Sequence, residues 1–336
     1  STQFHVDTQF TTQDLALSLD MFSDRVLKPA VAAIANKIDR DGLVMAKNNT
    51  ANIVGTAGTP PTGLITYLTA GAYLDSEGAP RDGRRSCIVE PFTSATIVDS
   101  LKGLFVPQEA IGEQYRKGLM GRDSGGMNWK MDQNVVSQQF GSYSSATLSC
   151  NVTTATGFLT SGWAQSSNIT IGATGANASL NQGDVITIAG VYAVNPQNRQ
   201  AYGSNKLRNF VVNSPVTISA SGTATVNVSP AVITAGQFQN VSVTSTGSQT
   251  VTPFNNTGAV SPQNIIMHRN AFTLAVADLE LPDGVHFAGR ASDKEIGLSM
   301  RVVRQYTINN DSIPTRLDVL YGWAPLYPEL ACRVAA

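Results

Sequence analysis

Residues 21–43 read MFSDRVLKPAVAAIANKIDRDGL, and the rest of the chain is best understood from this stretch. Apolar side chains recur in it every four positions, at Phe22, Val26, Ala30, Ile34 and Ile38. Because an α-helix has about 3.6 residues per turn, this spacing collects them on one face and leaves charged residues on the others. The sequence therefore predicts a long amphipathic helix over about residues 20–46, which we call the spine helix.

Two residues of this stretch are expected to limit the helix. Pro29 has no N–H and its ring clashes with the carbonyl of Arg25, so a kink or a break into two helices is predicted there. Gly42 is expected to end or loosen the helix. At about 1.5 Å per residue the spine helix would still be long for one element of a compact domain, so we expect other elements to lie along it.

Shorter helical and extended patterns fill the rest of the body. Helices are predicted over residues 12–19, 63–73, 94–105 and 107–118. Strands are predicted over residues 3–10, 87–91, 298–308 and 315–323, the last two joined by a turn. Helices and strands that mix in this way indicate an α+β body.

Residues 146–262 differ from the rest in composition, because only four of their side chains are charged and Ser, Thr, Asn, Gly and Val dominate. Six runs alternate apolar and polar residues, over residues 148–152, 168–171, 184–188, 209–212, 223–228 and 240–243. This alternation, with turn residues between the runs, is typical of strands and predicts an all-β barrel or sandwich. The apolar side chains Trp163, Tyr192, Tyr202 and Phe210 argue against a disordered segment.

Charge and composition exclude several classes of function. The net charge of −1 provides no overall field that would attract nucleic acid or an anionic membrane. No run approaches the roughly eighteen apolar residues that a membrane helix needs, so no membrane partner is predicted. Cys87, Cys150 and Cys332 are few and widely spaced, which favours free thiols over a disulfide framework or a zinc site.

No motif for catalysis, metal binding or cofactor binding emerges. The three histidines, His5, His268 and His286, lie far apart and have no Cys or carboxylate at metal-ligand spacing. A nucleophile elbow, a phosphate-binding loop and a dinucleotide fingerprint are all missing from the sequence. We therefore predict a protein that is not an enzyme and needs no cofactor or metal, although a hydrolase that uses His268 or His286 stays open.

Several long stretches resemble one family, the major coat protein of short-tailed bacteriophages with an inserted domain. They are LALSLDMFSDRVLKPA (15–30), KGLFVPQEAIGEQYRKGLMG (102–121), WKMDQN (129–134), GDVITIAGVYAVNP (183–196), HRNAFTLA (268–275) and DVLYGW (318–323). The resemblance runs from about residue 10 to the C-terminus. The alternative, a β-rich adhesin or carbohydrate-binding protein, would fit residues 146–262 but leaves the spine helix unexplained.

The resemblance implies the Hong Kong 97-like phage capsid fold, in which peripheral and axial domains are built around the spine helix. Residues 1–50 would be part of the peripheral domain, with the spine helix. Residues 51–145 and 263–336 would form the two parts of the axial and peripheral domains. Residues 146–262 would be the inserted β-barrel domain. Such proteins carry an N-terminal arm and an extended loop before the first strand, so a processed or partial chain is expected here.

The resemblance also implies a structural protein, a bacteriophage major capsid protein that self-assembles into an icosahedral shell enclosing the DNA genome. Its implied partners are other copies of the chain in pentamers and hexamers, a scaffolding protein, the portal, and packaged DNA held only non-specifically. It would be assembled in the host bacterial cytoplasm and end in the virion. The candidate subunit contacts are charged residues, Arg81, Arg84 and Arg85 in a basic loop and Asp283, Lys294 and Glu295 further on.

Overall fold

The computed structural model describes residues 1–11, 27–100, 125–143, 145–153, 157–202, 206–255, 258–293 and 297–336. Contacts divide the chain into two compact units. The first unit is Ser1–Leu43 with Phe272–Ala324, and the second unit is Val44–Ala271 with Pro325–Ala336.

Helices are few in the described residues. The spine helix spans Lys28–Asn49, and two shorter helices span Leu64–Ser76 and Pro91–Ser100. Single 3₁₀ turns lie at Ile308–Asn310 and Pro328–Leu330. The predicted helices over residues 12–19 and 107–118, and the predicted start of the spine helix before Leu27, lie outside the described residues.

Strands dominate the described residues and are numbered in chain order. The first ten are β1 (Thr2–Thr11), β2 (Ile53–Gly55), β3 (Arg85–Val89), β4 (Asn128–Met131), β5 (Ser137–Gln139), β6 (Thr147–Asn151), β7 (Ser167–Thr174), β8 (Ala178–Leu180), β9 (Val185–Ala193) and β10 (Leu207–Val212). The others are β11 (Val216–Ile218), β12 (Thr223–Ser229), β13 (Val241–Val243), β14 (Ser248–Pro253), β15 (Val260–His268), β16 (Phe272–Ala277), β17 (Phe287–Asp293), β18 (Leu298–Arg304), β19 (Ser312–Pro325) and β20 (Ala331–Ala335).

The spine helix differs from its prediction at Gly42. Pro29 is the second residue of the helix Lys28–Asn49, and the kink or break expected there stays a prediction because residues 12–26 lie outside the described residues. The helix continues through Gly42 to Asn49, so the expectation that Gly42 ends it is wrong. The missing side chain of Gly42 instead leaves room for the indole ring of Trp323. A Cβ atom at this position would lie only 2.7 Å from Cε2 of that ring. The indole Nε1 of Trp323 donates a hydrogen bond to the carbonyl of Ile38 at 2.9 Å.

The first unit packs the spine helix on a five-stranded sheet. The strand order is β1-β19-β18-β17, and β16 also pairs with β19. Apolar side chains at every fourth position of the helix pack against those at every second position of β19. The buried core that they form is Ala30, Ile34, Ile38, Leu317, Val319 and Tyr321. The strands predicted over residues 3–10 and 315–323 are confirmed, and β1 pairs antiparallel with β19 over its whole length.

The second unit contains a six-stranded sheet, the central sheet. Its order is β2-β20-β15-β3-β4, with β5 pairing with β15. The C-terminal strand β20 lies inside this sheet, parallel to β2 and antiparallel to β15. One face of the sheet covers an apolar core that includes Tyr67, Leu74, Cys87, Ile266 and Cys332. The three cysteines are free and buried, as expected from their spacing.

Six strands between Thr147 and Pro253 close into a barrel, also in the second unit. The ring order is β9-β10-β12-β7-β6-β14, and β14 pairs again with β9. Its interior is a core of its own that includes Leu148, Ile171, Ile188, Phe210 and Val226. All six alternating runs predicted from the sequence are strands, whereas β14 was missed. The predicted boundary at Pro262 falls inside β15, a strand of the central sheet.

Candidate subunit-contact surfaces

The basic loop follows the helix Leu64–Ser76 and leads into β3. Gly83 adopts a φ of 73°, a left-handed conformation that glycine accepts without steric cost. Its carbonyl accepts a hydrogen bond of 2.8 Å from Nδ2 of Asn128 in β4. The loop therefore has a defined shape that is anchored to the edge of the central sheet.

Arg85 does not belong to an exposed contact. Its side chain is only 4% exposed. Its Nη2 donates to Oδ1 of Asp75 at 2.7 Å and to the carbonyl of Ala79 at 2.6 Å, and its Nε donates to the carbonyl of Pro80 at 3.0 Å. Burial and three acceptors make Arg85 the residue that closes the loop, so its contact with another subunit stays a prediction that this geometry does not support.

Arg81 is exposed and shares the same carboxylate. Its Nε donates to Oδ1 of Asp75 at 3.0 Å, and its Nη2 also contacts Asp75. Hydrogen bonds from Arg81 and then from Arg85 lower the pKa of Asp75, against a desolvation that raises it. An ion pair at the surface contributes little to stability because water screens it, so Arg81 can exchange this partner for another carboxylate at small cost.

Arg84 holds the least constrained charge of the loop. Its side chain is 61% exposed and its Nε lies 3.8 Å from Oδ2 of Asp82. Asp82 also accepts the backbone N–H of Arg84 at 3.1 Å and lies 3.2 Å from Nε2 of the buried His268. Desolvation acts to raise the pKa of Asp82, but the N–H of Arg84 and the contact with His268 lower it overall.

The other three candidates, Asp283, Lys294 and Glu295, come later in the chain. Asp283 is exposed, in a turn between β16 and β17 of the first unit, whereas the arginines belong to the second unit. Lys294 and Glu295 lie outside the described residues. The exposed charges among the described candidates are thus Arg81 and Arg84 in the second unit and Asp283 in the first.

An apolar cleft of the second unit was missed by the sequence analysis. It has a volume of about 520 Å³ and is lined by loops of the barrel segment and by the residues before β20. Its most exposed aromatic side chains are Trp163, at 70%, and Tyr327, at 63%. Trp163 was expected to support an ordered β module, but it lies at the surface of the segment and contributes nothing to the barrel core. Beneath the cleft, Nη1 of Arg208 lies 2.5 Å from Oε1 of Glu77 in a buried ion pair.

Within the described ranges, no three His, Cys, Asp or Glu side chains lie close enough together to hold a metal ion. Across these ranges, no helix has both the length and the apolar character that crossing a membrane would require.

Comparisons with known proteins identify a family. The family model described as "P22 coat protein - gene protein 5" matches residues 4–333. No curated protein sequence matches the chain.

Solved structures that are similar to the chain come from phages. A chain from Mycobacterium phage Che8 is 10% identical, with 99% of this chain and 70% of that chain covered and a TM-score of 0.40. The capsid of cyanophage P-SCSP1u gives 9% identity, coverage of 99% and 72%, and a TM-score of 0.46. The mature capsid of bacteriophage PhiM1 gives 11% identity, coverage of 100% and 71%, and a TM-score of 0.42.

Proposed function

The chain belongs to the P22 coat protein family, and from this premise we propose how it builds its shell. The protein is a bacteriophage major capsid protein, a structural protein and not an enzyme. The observation that carries this conclusion is the family match over residues 4–333, which includes the spine helix, both sheets and the barrel. A β-rich adhesin or carbohydrate-binding protein is not favoured, because the match is not confined to the barrel segment.

The finer architecture that we propose is the Hong Kong 97-like fold. Two features support it: a spine helix of 22 residues packed on a sheet in the first unit, and a closed barrel with its own core in the second. In this proposal the first unit contributes to the peripheral domain, and the central sheet to the axial domain.

The barrel is, in the same proposal, an inserted domain that stiffens the body and adds contacts between subunits. Its separate core supports an insertion, because none of the barrel core residues belongs to the core of the central sheet. The test is a chain in which residues 146–253 are replaced by a short linker. Failure to assemble, with the rest of the chain folded, is the expected result, and shells of normal size would refute the role.

Assembly into a shell is the proposed use of these surfaces. Head-to-tail contacts close rings around fivefold and sixfold axes, and contacts between rings join them into a shell, which makes pentamers and hexamers the proposed building blocks. Many modest contacts suffice, because each new one is made within an assembly that already holds the subunit. Arg81, Arg84 and Asp283 are the proposed charged contacts.

Further partners follow from the same premise. We propose that a scaffolding protein guides assembly, that the portal occupies one position of the shell, and that packaged DNA meets the inner surface without sequence recognition. Assembly would take place in the host bacterial cytoplasm before the shell becomes part of the virion. The near-neutral chain, with a net charge of −1, is consistent with copies that approach one another without strong repulsion.

Electron microscopy of the overexpressed and purified chain tests the proposal, with and without a co-expressed scaffolding protein. Closed particles of uniform size in either sample would support shell assembly. Particles only with the scaffolding protein would show in addition that the partner is required. Amorphous aggregate or dispersed subunits in both samples would refute the assembly proposal for this chain.

A further inference from the structure

A buried guanidinium on the central sheet has no hydrogen-bond acceptor among the residues that the structure describes. Arg333 lies in β20 and is 0% exposed. Its Nε, Nη1 and Nη2 make no hydrogen bond to any part of the protein that the structure describes. A buried ion without partners is strongly destabilising. The side chain of Arg333 therefore calls for a bound group that supplies acceptors.

The strand register gives the location of this guanidinium. Arg333 pairs with Ile53 on one side and with Ile265 on the other, so these three side chains share one face of the central sheet. Residues that are one position out of step, such as Cys332, face the apolar core. The face of Arg333 is the one on which Ile53 and Ala335 pack against Val185 of the barrel. Arg333 thus lies in the layer between the central sheet and the barrel.

A second cation lies close to Arg333. Lys47, near the end of the spine helix, donates from Nζ to the neutral amide oxygen of Gln138 at 2.7 Å. Burial and then the positive charge of Arg333 lower the pKa of Lys47 to about 8. The strand pairing agrees with this effect, because Gln138 pairs with Ser261 of β15, the strand that lies beside Arg333 in the central sheet.

Among the described residues, the carboxylate whose charge acts on both cations is that of Asp184, and amide donors already occupy it. Its Oδ2 accepts the backbone N–H groups of Gly141 at 2.9 Å and Asn181 at 2.8 Å, and its Oδ1 accepts Nε2 of Gln138 at 2.9 Å. Within the described part of the chain, the two positive charges of Lys47 and Arg333 and the one negative charge of Asp184 leave a surplus of one positive charge. A neutral water molecule would satisfy hydrogen bonds but would leave that surplus in place.

We propose that the guanidinium of Arg333 binds a small inorganic anion of the halide class, with Lys47 as the second cation that favours it. The anion neutralises the surplus charge and accepts the N–H groups of Arg333. It thereby joins the end of the spine helix, the central sheet and the barrel. Water that accepts the N–H groups of Arg333 is the competing occupant.

The direct test is anomalous diffraction from crystals of the full chain grown or soaked in sodium bromide. A bromide peak within hydrogen-bond distance of Arg333 Nε or Nη is the expected result. Full-occupancy water at that place, with bromide bound only at exposed lysines and arginines, would overturn the proposal. This experiment uses the native chain, so it does not depend on whether a variant folds.

The second test is the thermodynamic link between bromide and folding. Unfolding is measured at constant ionic strength while bromide replaces gluconate. Above the dissociation constant, each tenfold rise in bromide should lower the unfolding equilibrium constant about tenfold, and Arg333→Met should abolish this dependence. The matched control, Arg84→Met, removes an exposed arginine and should keep it. Equal bromide dependence in both variants would show a general salt effect and would refute the site.

Discussion

Replacing Gly42 by alanine should destabilise the protein, whereas the same replacement at Gly71 should stabilise it. Both glycines lie in helices, Gly42 in the spine helix and Gly71 in the helix Leu64–Ser76. Alanine is better than glycine inside a helix by about 1 kcal/mol, which favours both variants equally. The two sites differ in what the new methyl group meets. At Gly71 it meets no atom within 4 Å, and at Gly42 it meets the indole of Trp323 at 2.7 Å.

The magnitude at Gly42 follows from this contact. Carbon atoms are not found at that distance, so the indole must move. Forcing an extra methyl group into a packed core costs about 1–3 kcal/mol. Moving the ring also weakens the hydrogen bond from Trp323 to the carbonyl of Ile38, whose net contribution is about 0.5–1.5 kcal/mol. Together these losses exceed the helix gain, and we expect a net loss of about 1–3 kcal/mol.

Urea unfolding of the unassembled chain, followed by circular dichroism and tryptophan fluorescence, measures both variants. Gly71→Ala is the internal control and should gain about 0.5–1 kcal/mol. Trp323→Phe in the Gly42→Ala background removes the larger ring and should recover part of the loss. If Gly42→Ala and Gly71→Ala stabilise the chain by equal amounts, the packing of Trp323 on the spine helix is refuted.

Three further predictions concern the loop and the barrel. Asp75→Asn should lower the free energy of unfolding at neutral pH and should make that free energy fall less steeply below about pH 4. The reason is that a carboxylate whose pKa is lowered by folding stabilises the protein above its unfolded pKa and loses this effect as the pH falls. Acid titrations of the wild-type and variant chains would measure the difference. Phe210→Ala should cost about 3–5 kcal/mol and unprotect barrel amides in hydrogen exchange, whereas the half-exposed Phe238→Ala should change little; equal effects would contradict the barrel core. Arg84→Glu should shift the salt dependence of assembly, measured by light scattering, because it reverses an exposed charge. Arg85→Glu should prevent folding, because it reverses a buried charge beside Asp75. A folded Arg85→Glu chain, or an unchanged salt dependence for Arg84→Glu, would argue against these assignments.

The spacing of apolar residues along the sequence predicted the helices and strands that bury one face. The repeat through Ala30, Ile34 and Ile38 indicated the buried face of the spine helix, and all three residues are in the core of the first unit. The alternating runs between residues 148 and 243 indicated strands, and each became one. In both cases the side chains that decide the element are close together in sequence, so the pattern is complete within one window.

Features that depend on distant parts of the chain were not predictable in this way. The helix continues through Gly42, where the ring of Trp323 fills the space above the glycine. Because Trp323 is distant in sequence, the residues around Gly42 do not indicate this contact. Arg85 resembled its exposed neighbours, yet its guanidinium turns inward to the carboxylate of Asp75 and to two carbonyls. Strand β14 was missed because its sequence, SQTVTP, offers only one large apolar side chain, that of Val251.

The measurement that tests the capsid account most directly is a single-particle reconstruction of the particles formed by the full chain. We predict a closed shell in which each subunit contains a spine helix packed on its sheet and a separate six-stranded barrel formed by residues 147–253. Subunits that never close into a shell, or barrel strands that continue the central sheet and share its core, would contradict it.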